Sequence, residues 1–251
     1  MTARREVRFV RHLAAVARLA VLLAGLAAAT APQAVGREPR CRPYDPARDQ
    51  KLAAWATPRR ATLLVDSVLL SALPGIRRAM PCWRLEKRGR PALMIRIAER
   101  ELSAAGRRVS PLVVVGIGYN SLWERDRRNY DTWAARFDAE ARKLVATLRR
   151  LGAQQVVWVT LREPRPAIVP PGSGPELDRY AWFFPYVNAR LRKLDAERDD
   201  VALADWTAAA DRPGITYDTI HCNSAGALLM GRTIKRAISA EARRQVRDAR
   251  G

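Results

Sequence analysis

The feature that most constrains this chain is a repeated alternation of short apolar runs with longer amphipathic stretches. Ala61 to Asp66 (ATLLVD), Pro111 to Gly116 (PLVVVG), Gln155 to Leu161 (QVVWVTL) and Val201 to Asp205 each read as a buried strand, and Cys82 to Lys87 as a weaker one. Between and after them, Ser67 to Ala79, Pro91 to Ala105, Thr132 to Leu151, Glu176 to Ala196 and Ser224 to Ala240 carry apolar residues at helical spacing, the fourth of these interrupted or delayed near Pro185. Strands that are apolar throughout, rather than alternating, have both faces covered. Successive β-helix-β units close only with right-handed crossovers. The expectation is therefore a five-stranded parallel sheet with helices on both faces, a three-layer α/β/α domain.

In such a sheet, functional groups collect outside the carboxyl ends of the strands. Asp66-Ser67 follows the first strand, and Gly116-Ile117-Gly118-Tyr119-Asn120 follows the third. Asp218-Thr219-Ile220-His221 lies after the fifth, just before the last helix. Each has a plain structural reading: serine as a helix N-cap, Gly-x-Gly as a tight turn, aspartate three residues before a histidine as a local cap. Their convergence on one sheet edge argues instead for a nucleophile, an amide donor and a carboxylate-oriented base.

Composition bears on location and partners. The net charge of +20 comes almost wholly from arginine, since only five of the 45 basic residues are lysine. That arginine is spread along the chain, which argues against a nucleic-acid partner, whose binder would concentrate it on one face. Arg4, Arg5, Arg8 and Arg11 precede an apolar run, Leu19 to Ala28, followed by Ala29-Thr30-Ala31. Residues 1 to 31 are read as a signal peptide, with an uncleaved anchor as the alternative, because the clean run is shorter than the ~20 residues a span needs. The expected division is this leader, an N-terminal extension over 32–60, the domain over 61–240 and a basic tail over 241–251. Loss of the leader removes His12 and leaves His221 as the one histidine. Export permits disulfides, and of Cys41, Cys82 and Cys222 the pairing expected is Cys41 with Cys82. No CxxC or HxxxH spacing suggests a metal, and no cofactor is expected.

Taken in order, Asp66-Ser67, a glycine, Gly118-Tyr119-Asn120 and Asp218-x-x-His221 resemble the four sequence blocks of the SGNH/GDSL hydrolases, over roughly residues 61 to 238. The resemblance implies a flavodoxin-like five-stranded sheet. It further implies Ser67 as nucleophile, His221 as general base and later acid, and Asp218 as the group that orients the imidazole. The oxyanion hole would be made by the backbone N–H groups of Ser67 and of a glycine, Gly89 first and Gly75 second, with the side-chain amide of Asn120. Val65 stands where the family has the glycine of Gly-Asp-Ser, so Asp66 is expected to hold loops rather than react. Cys222 could be a disulfide partner, a buried thiol or a second nucleophile.

Aromatic residues after the third strand (Tyr119, Trp123, Tyr130, Trp133) and after the Pro164 to Pro175 loop (Tyr180, Trp182, Phe183, Phe184, Tyr186) are candidates for substrate walls, with about half of them expected in the core. Tyr119 and Trp123 are the foremost. The expected activity is an exported serine esterase on O-acyl esters of carbohydrate or lipid-like substrates. An O-acyltransferase on the same fold and a non-catalytic cationic module are the alternatives. The arginine surplus suggests an anionic envelope polymer or a membrane surface as neighbour.

Overall fold

The computed structural model describes Cys41, residues 53–122 and residues 130–250; the leader and Trp123 lie outside them. The sheet consists of β1 (Arg60–Val65), β2 (Arg84–Gly89), β3 (Leu112–Gly116), β4 (Gln155–Val159) and β5 (Val201–Ala204). All pairings are parallel and the spatial order is β2-β1-β3-β4-β5, as expected for the flavodoxin-like arrangement. β3 and β4 are buried at every residue, which is why their sequences are almost purely apolar. β2 lies at an edge and is largely half-buried or exposed, so its charged sequence, RLEKRG, gives a faint strand signal.

The helices are α1 (Ser67–Ala79), α2 (Ile95–Ala105), α3 (Tyr130–Arg150), α4 (Gly174–Tyr180), α5 (Phe183–Ala196), α6 (Trp206–Ala209) and α7 (Ser224–Asp248). α1 packs along α7, while α2, α3 and α5 pack in sequence as a second group, giving the layers on either side of the sheet. The crossing of α1 over α7 is unusually close: a Cβ on Gly75 would sit 2.1 Å from the backbone carbon of Ala227. Gly75 is therefore committed to helix packing, and its fallback place in an oxyanion hole is corrected.

Most boundaries fall within two residues of expectation, and three differ further. α2 begins at Ile95 rather than Pro91, because Ala92 takes a left-handed φ of 56° that no helix can contain. The stretch 176–196 divides after Tyr180 into α4 and α5, and Pro185 falls in the first turn of α5, where its missing N–H is not needed. The tail expected over 241–251 is helix as far as Asp248. Glu241 and Ala242 continue the buried stripe of α7, and Arg244 pairs with Glu241 and Asp248. Within the expected extension, Trp55 is buried and its indole N–H donates to Gln245 at 2.8 Å. A disulfide joins Cys41 to Cys82, the pairing expected of the three cysteines.

Candidate active site

Ser67 opens α1 at the carboxyl end of β1. The cap of that helix is Asp66, whose Oδ1 accepts from the N–H groups of Val68 (2.9 Å) and Leu69 (3.4 Å). The capping role that a serine after a strand would ordinarily fill is thus taken by its neighbour, and the Ser67 hydroxyl is left to another contact. Val65 does not belong to the residues with positive φ, so the glycine-to-valine departure imposes no backbone strain here. The close approach is made from the facing strand instead: Gly89 pairs with Val65, has φ 114°, and would bring a Cβ to 2.2 Å from the Val65 carbonyl oxygen.

Asp218 and His221 lie in the loop between α6 and α7. A single antiparallel bridge between Thr216 and Cys222 closes this loop, and the Tyr217 N–H donates to the His221 carbonyl at 3.1 Å. Inside it, Asp218 Oδ1 accepts from the N–H groups of Ile220 (2.9 Å) and His221 (2.7 Å), while Oδ2 lies 2.7 Å from His221 Nδ1. The local cap and the imidazole orienter are therefore the same carboxylate, using its two oxygens separately. Burial acts to raise the Asp218 pKa, but the hydrogen bonds from the His221 backbone, the imidazole and Ile220 outweigh it and hold the carboxyl below its ordinary range. The other ring nitrogen, Nε2, is 2.9 Å from Ser67 Oγ. A further bond from the Cys222 N–H to Ser71 Oγ (2.9 Å) pins the loop to α1. A hydroxyl, an imidazole and a carboxylate in this chain can remove the hydroxyl proton during attack on a carbonyl.

Asn120 sits in the 3-10 turn Tyr119–Leu122, just past β3, and its Nδ2 donates to Asp66 Oδ2 at 3.4 Å. Asp66 is fully buried, and that burial raises its pKa to about 7 against the lowering effect of the backbone N–H groups it accepts from. It holds both the helix start beneath Ser67 and the Asn120 amide, the loop-organising part expected of it. Gly89 ends β2 beside Val65, two residues before Ser67. Cys222 is a buried free thiol whose pKa burial pushes up to about 12, which suits a packing residue and not a nucleophile.

The aromatic expectations are only partly met. Tyr119 is not a wall of an open cleft: it is 8% exposed, its ring packs edge-on against Phe184, and its hydroxyl accepts from the Arg162 N–H at 2.6 Å. Phe183, Phe184 and Tyr186 are likewise core, while Tyr180 and Trp182 are half-buried against it. Trp123 lies outside the described residues, as do the side chains of Tyr130 and Trp133.

Two residues at the site escaped sequence reasoning. Tyr217 is 64% exposed and stacks on the His221 ring at 5.7 Å and 9°, the one large hydrophobic side chain among the described residues to be exposed. Its position beside Asp218 was the available signal. Arg162, three residues beyond β4, is fully buried and bonds the loop that carries Asp218 and His221. Its place after an apolar strand marked it, but an arginine is inconspicuous in this composition.

No family model and no curated protein matches the chain. Solved structures do. The C-terminal catalytic domain of peptidoglycan O-acetyltransferase A from Streptococcus pneumoniae is 19% identical with a TM-score of 0.52, over 76% of this chain and 95% of that one. An acetyl xylan esterase is 14% identical at 0.55, over 71% and 98%. A GDSL-like lipase from Bacteroides thetaiotaomicron is 16% identical at 0.52, over 77% and 95%. At these identities the likeness is one of fold, and that fold is the three-layer α/β/α fold of the SGNH/GDSL hydrolases.

Proposed function

We propose that this protein is an exported serine esterase of the SGNH/GDSL type, hydrolysing acetyl or other short-chain O-acyl esters of carbohydrate or lipid-like substrates. The observation that carries the reading is the unbroken chain of contacts from Ser67 Oγ to His221 Nε2 (2.9 Å) and from His221 Nδ1 to Asp218 Oδ2 (2.7 Å). His221 takes the Ser67 proton as Oγ attacks the ester carbonyl, and Asp218 fixes the imidazole tautomer and stabilises the imidazolium. The oxyanion of the tetrahedral intermediate is met by the N–H groups of Ser67 and Gly89 and by the Asn120 amide. His221 then protonates the departing alcohol, and a water molecule, deprotonated by the same imidazole, cleaves the acyl-enzyme.

Tyr217 supports a carbohydrate alcohol, since its exposed ring beside His221 presents the flat apolar face on which sugar rings stack. The solved relatives that act on acetyl xylan and peptidoglycan agree with such a substrate. The Cys41–Cys82 disulfide supports export, and the arginine surplus supports residence beside an anionic envelope polymer or a membrane surface. If a sugar hydroxyl replaces water in the second step, the same groups perform acyl transfer.

The test is hydrolysis of p-nitrophenyl acetate and butyrate by the purified protein, Ser67→Ala and His221→Ala, with fluorophosphonate labelling of Ser67. Loss of turnover in both variants and labelling of the parent at Ser67 are expected. A folded parent that neither hydrolyses nor labels would sink the proposal and favour a non-catalytic module. Acylated sugar formed from added acceptor at the expense of free acid would assign the transferase reaction.

A further inference from the structure

Arg162 has no part in the chemistry above, yet it is the most heavily bonded side chain near the site. A guanidinium carries five N–H donors in a rigid fork, and here each has an acceptor. Nε reaches the Ala210 carbonyl (3.3 Å), Nη1 the Thr216 hydroxyl (2.6 Å) and the Thr219 carbonyl (3.0 Å), and Nη2 the carbonyls of Ile168 (2.6 Å) and Arg212 (3.0 Å). Four of the five acceptors are backbone. The side chain is fully buried, and among the described residues no carboxylate forms an ion pair with it. A buried cation whose direct partners are all neutral is an expensive way to fill space even with the Asp218 carboxylate acting on it from beyond ion-pair distance, and an apolar side chain would do so at lower cost.

What the fork provides is a course for a loop that has almost no secondary structure of its own. Thr216 and Thr219 flank Asp218, so two of the five bonds grip the loop on either side of the carboxylate that orients His221. Thr219 is held from above as well, its hydroxyl donating to Glu176 in α4. The backbone N–H of Arg162 donates to Tyr119, the neighbour of Asn120, and the Ile168 bond brings in the loop that follows β4.

We propose that Arg162 is a positioning residue: it sets the angle at which Asp218 and His221 face Ser67, and it makes that angle depend on the loop between β4 and α4. This rests on the serine hydrolase reading. Arg162→Lys keeps the charge and loses the fork, and Thr216→Val removes one acceptor with little change of shape. Both are compared with the parent for kcat and KM on p-nitrophenyl acetate, the rate of Ser67 phosphonylation, melting temperature, and hydrogen exchange of the amides over 214–222. Because misplacement of a reacting group by about 1 Å costs on the order of 100-fold, Arg162→Lys should lose about 10- to 100-fold in kcat and in phosphonylation with KM within about twofold. Thr216→Val should lose about three- to tenfold in the same two quantities. A purely structural role would lower the melting temperature and leave both rates at parental values in the folded variants, and that result overturns the proposal. Should Arg162→Lys fail to fold, Thr216→Val decides by the same criterion. A parent with neither turnover nor labelling strikes the hydrolase reading, and hydrogen exchange then decides the grip itself. Faster exchange confined to 214–222 in Thr216→Val upholds it, and unchanged exchange overturns it.

Discussion

Asp66 is the residue whose behaviour can be worked furthest from the structure. It is fully buried, and burial raises its carboxyl pKa from 3.8 to about 7. A carboxyl with a raised folded-state pKa contributes stability that is complete below its unfolded value and lost as pH rises through the folded one. A rise of about three pKa units at about 1.4 kcal/mol each corresponds to about 4 kcal/mol. Asp66→Asn removes the titration while keeping an oxygen that can accept from Val68 and Leu69. Urea unfolding of parent and variant from pH 4 to pH 9 isolates the group, because every other titration is shared by the two proteins. The stability of the parent relative to the variant should fall by about 1.4 kcal/mol per unit between about pH 4 and pH 7 and stay level above. A constant offset over that range would refute the reasoning. A difference that rises with pH would show that the helix N–H groups hold Asp66 ionised and outweigh its desolvation.

The remaining expectations concern the site and its supports. Asp218→Asn retains an acceptor for the Ile220 and His221 N–H groups but presents the wrong partner to Nδ1, so kcat should fall by about 10,000-fold, as for other triads of this kind, in a protein whose melting temperature is little changed; a drop under tenfold would show that Asp218 does not orient the base. In Gly226→Ala the new methyl would meet the Ile215 carbonyl oxygen at 1.9 Å, and restoring ordinary contact moves the triad loop by about 1.5 Å. Steady-state kinetics should show a kcat loss on the order of 100-fold, whereas unchanged kcat would mean that the loop absorbs the shift without moving His221. Cys41 and Cys82 are separated by 41 residues in sequence, and opening that loop by reduction should cost about 4 kcal/mol, read as a lowered denaturant midpoint with dithiothreitol. An unmoved midpoint would place the stabilising contacts of the N-terminal segment in Trp55 and its neighbours instead.

Most of the sheet was legible because a strand buried on both faces has no choice of composition, and β3, LVVVG, is the extreme case. β2 was faint because an edge strand tolerates charge, and its end, where Gly89 meets Val65, lies two residues beyond the Cys82 to Lys87 run that marked it. Ser67, Asn120, Asp218 and His221 were legible because strand ends and helix starts are local signals, and the three-residue spacing of Asp218 and His221 is local too. Tyr119 misled for the opposite reason. Its position after β3 is that of a cleft residue, but its burial is decided by Phe184 and Arg162, which come from α5 and from beyond β4. Arg162 left only the faint signal of its place after an apolar strand. Its acceptors are mostly backbone carbonyls, which leave no trace in residue type, and the surrounding Arg162-Glu163-Pro164-Arg165 has the look of an exposed loop.

The contact between Ser67 and His221 spans 154 positions in sequence, and its geometry is inherited from the two helices that carry it. Ser67 is the first residue of α1, and His221 stands three residues before the start of α7. Asp66 fixes the start of one helix by accepting two of its N–H groups, and Asn223 fixes the start of the other by accepting from Gly226 at 3.0 Å. Between them, Gly75 and Gly231 let α1 and α7 approach more closely than any side chain would permit. A sliding of α7 along α1 would carry His221 with it, and the rigidity of a close-packed helix crossing resists that motion better than longer side chains, with their freer rotamers, could. The glycines that look dispensable in a helical pattern therefore belong to the geometry of the Ser67–His221 contact as much as the two residues that make it, because they determine how far apart those residues stand.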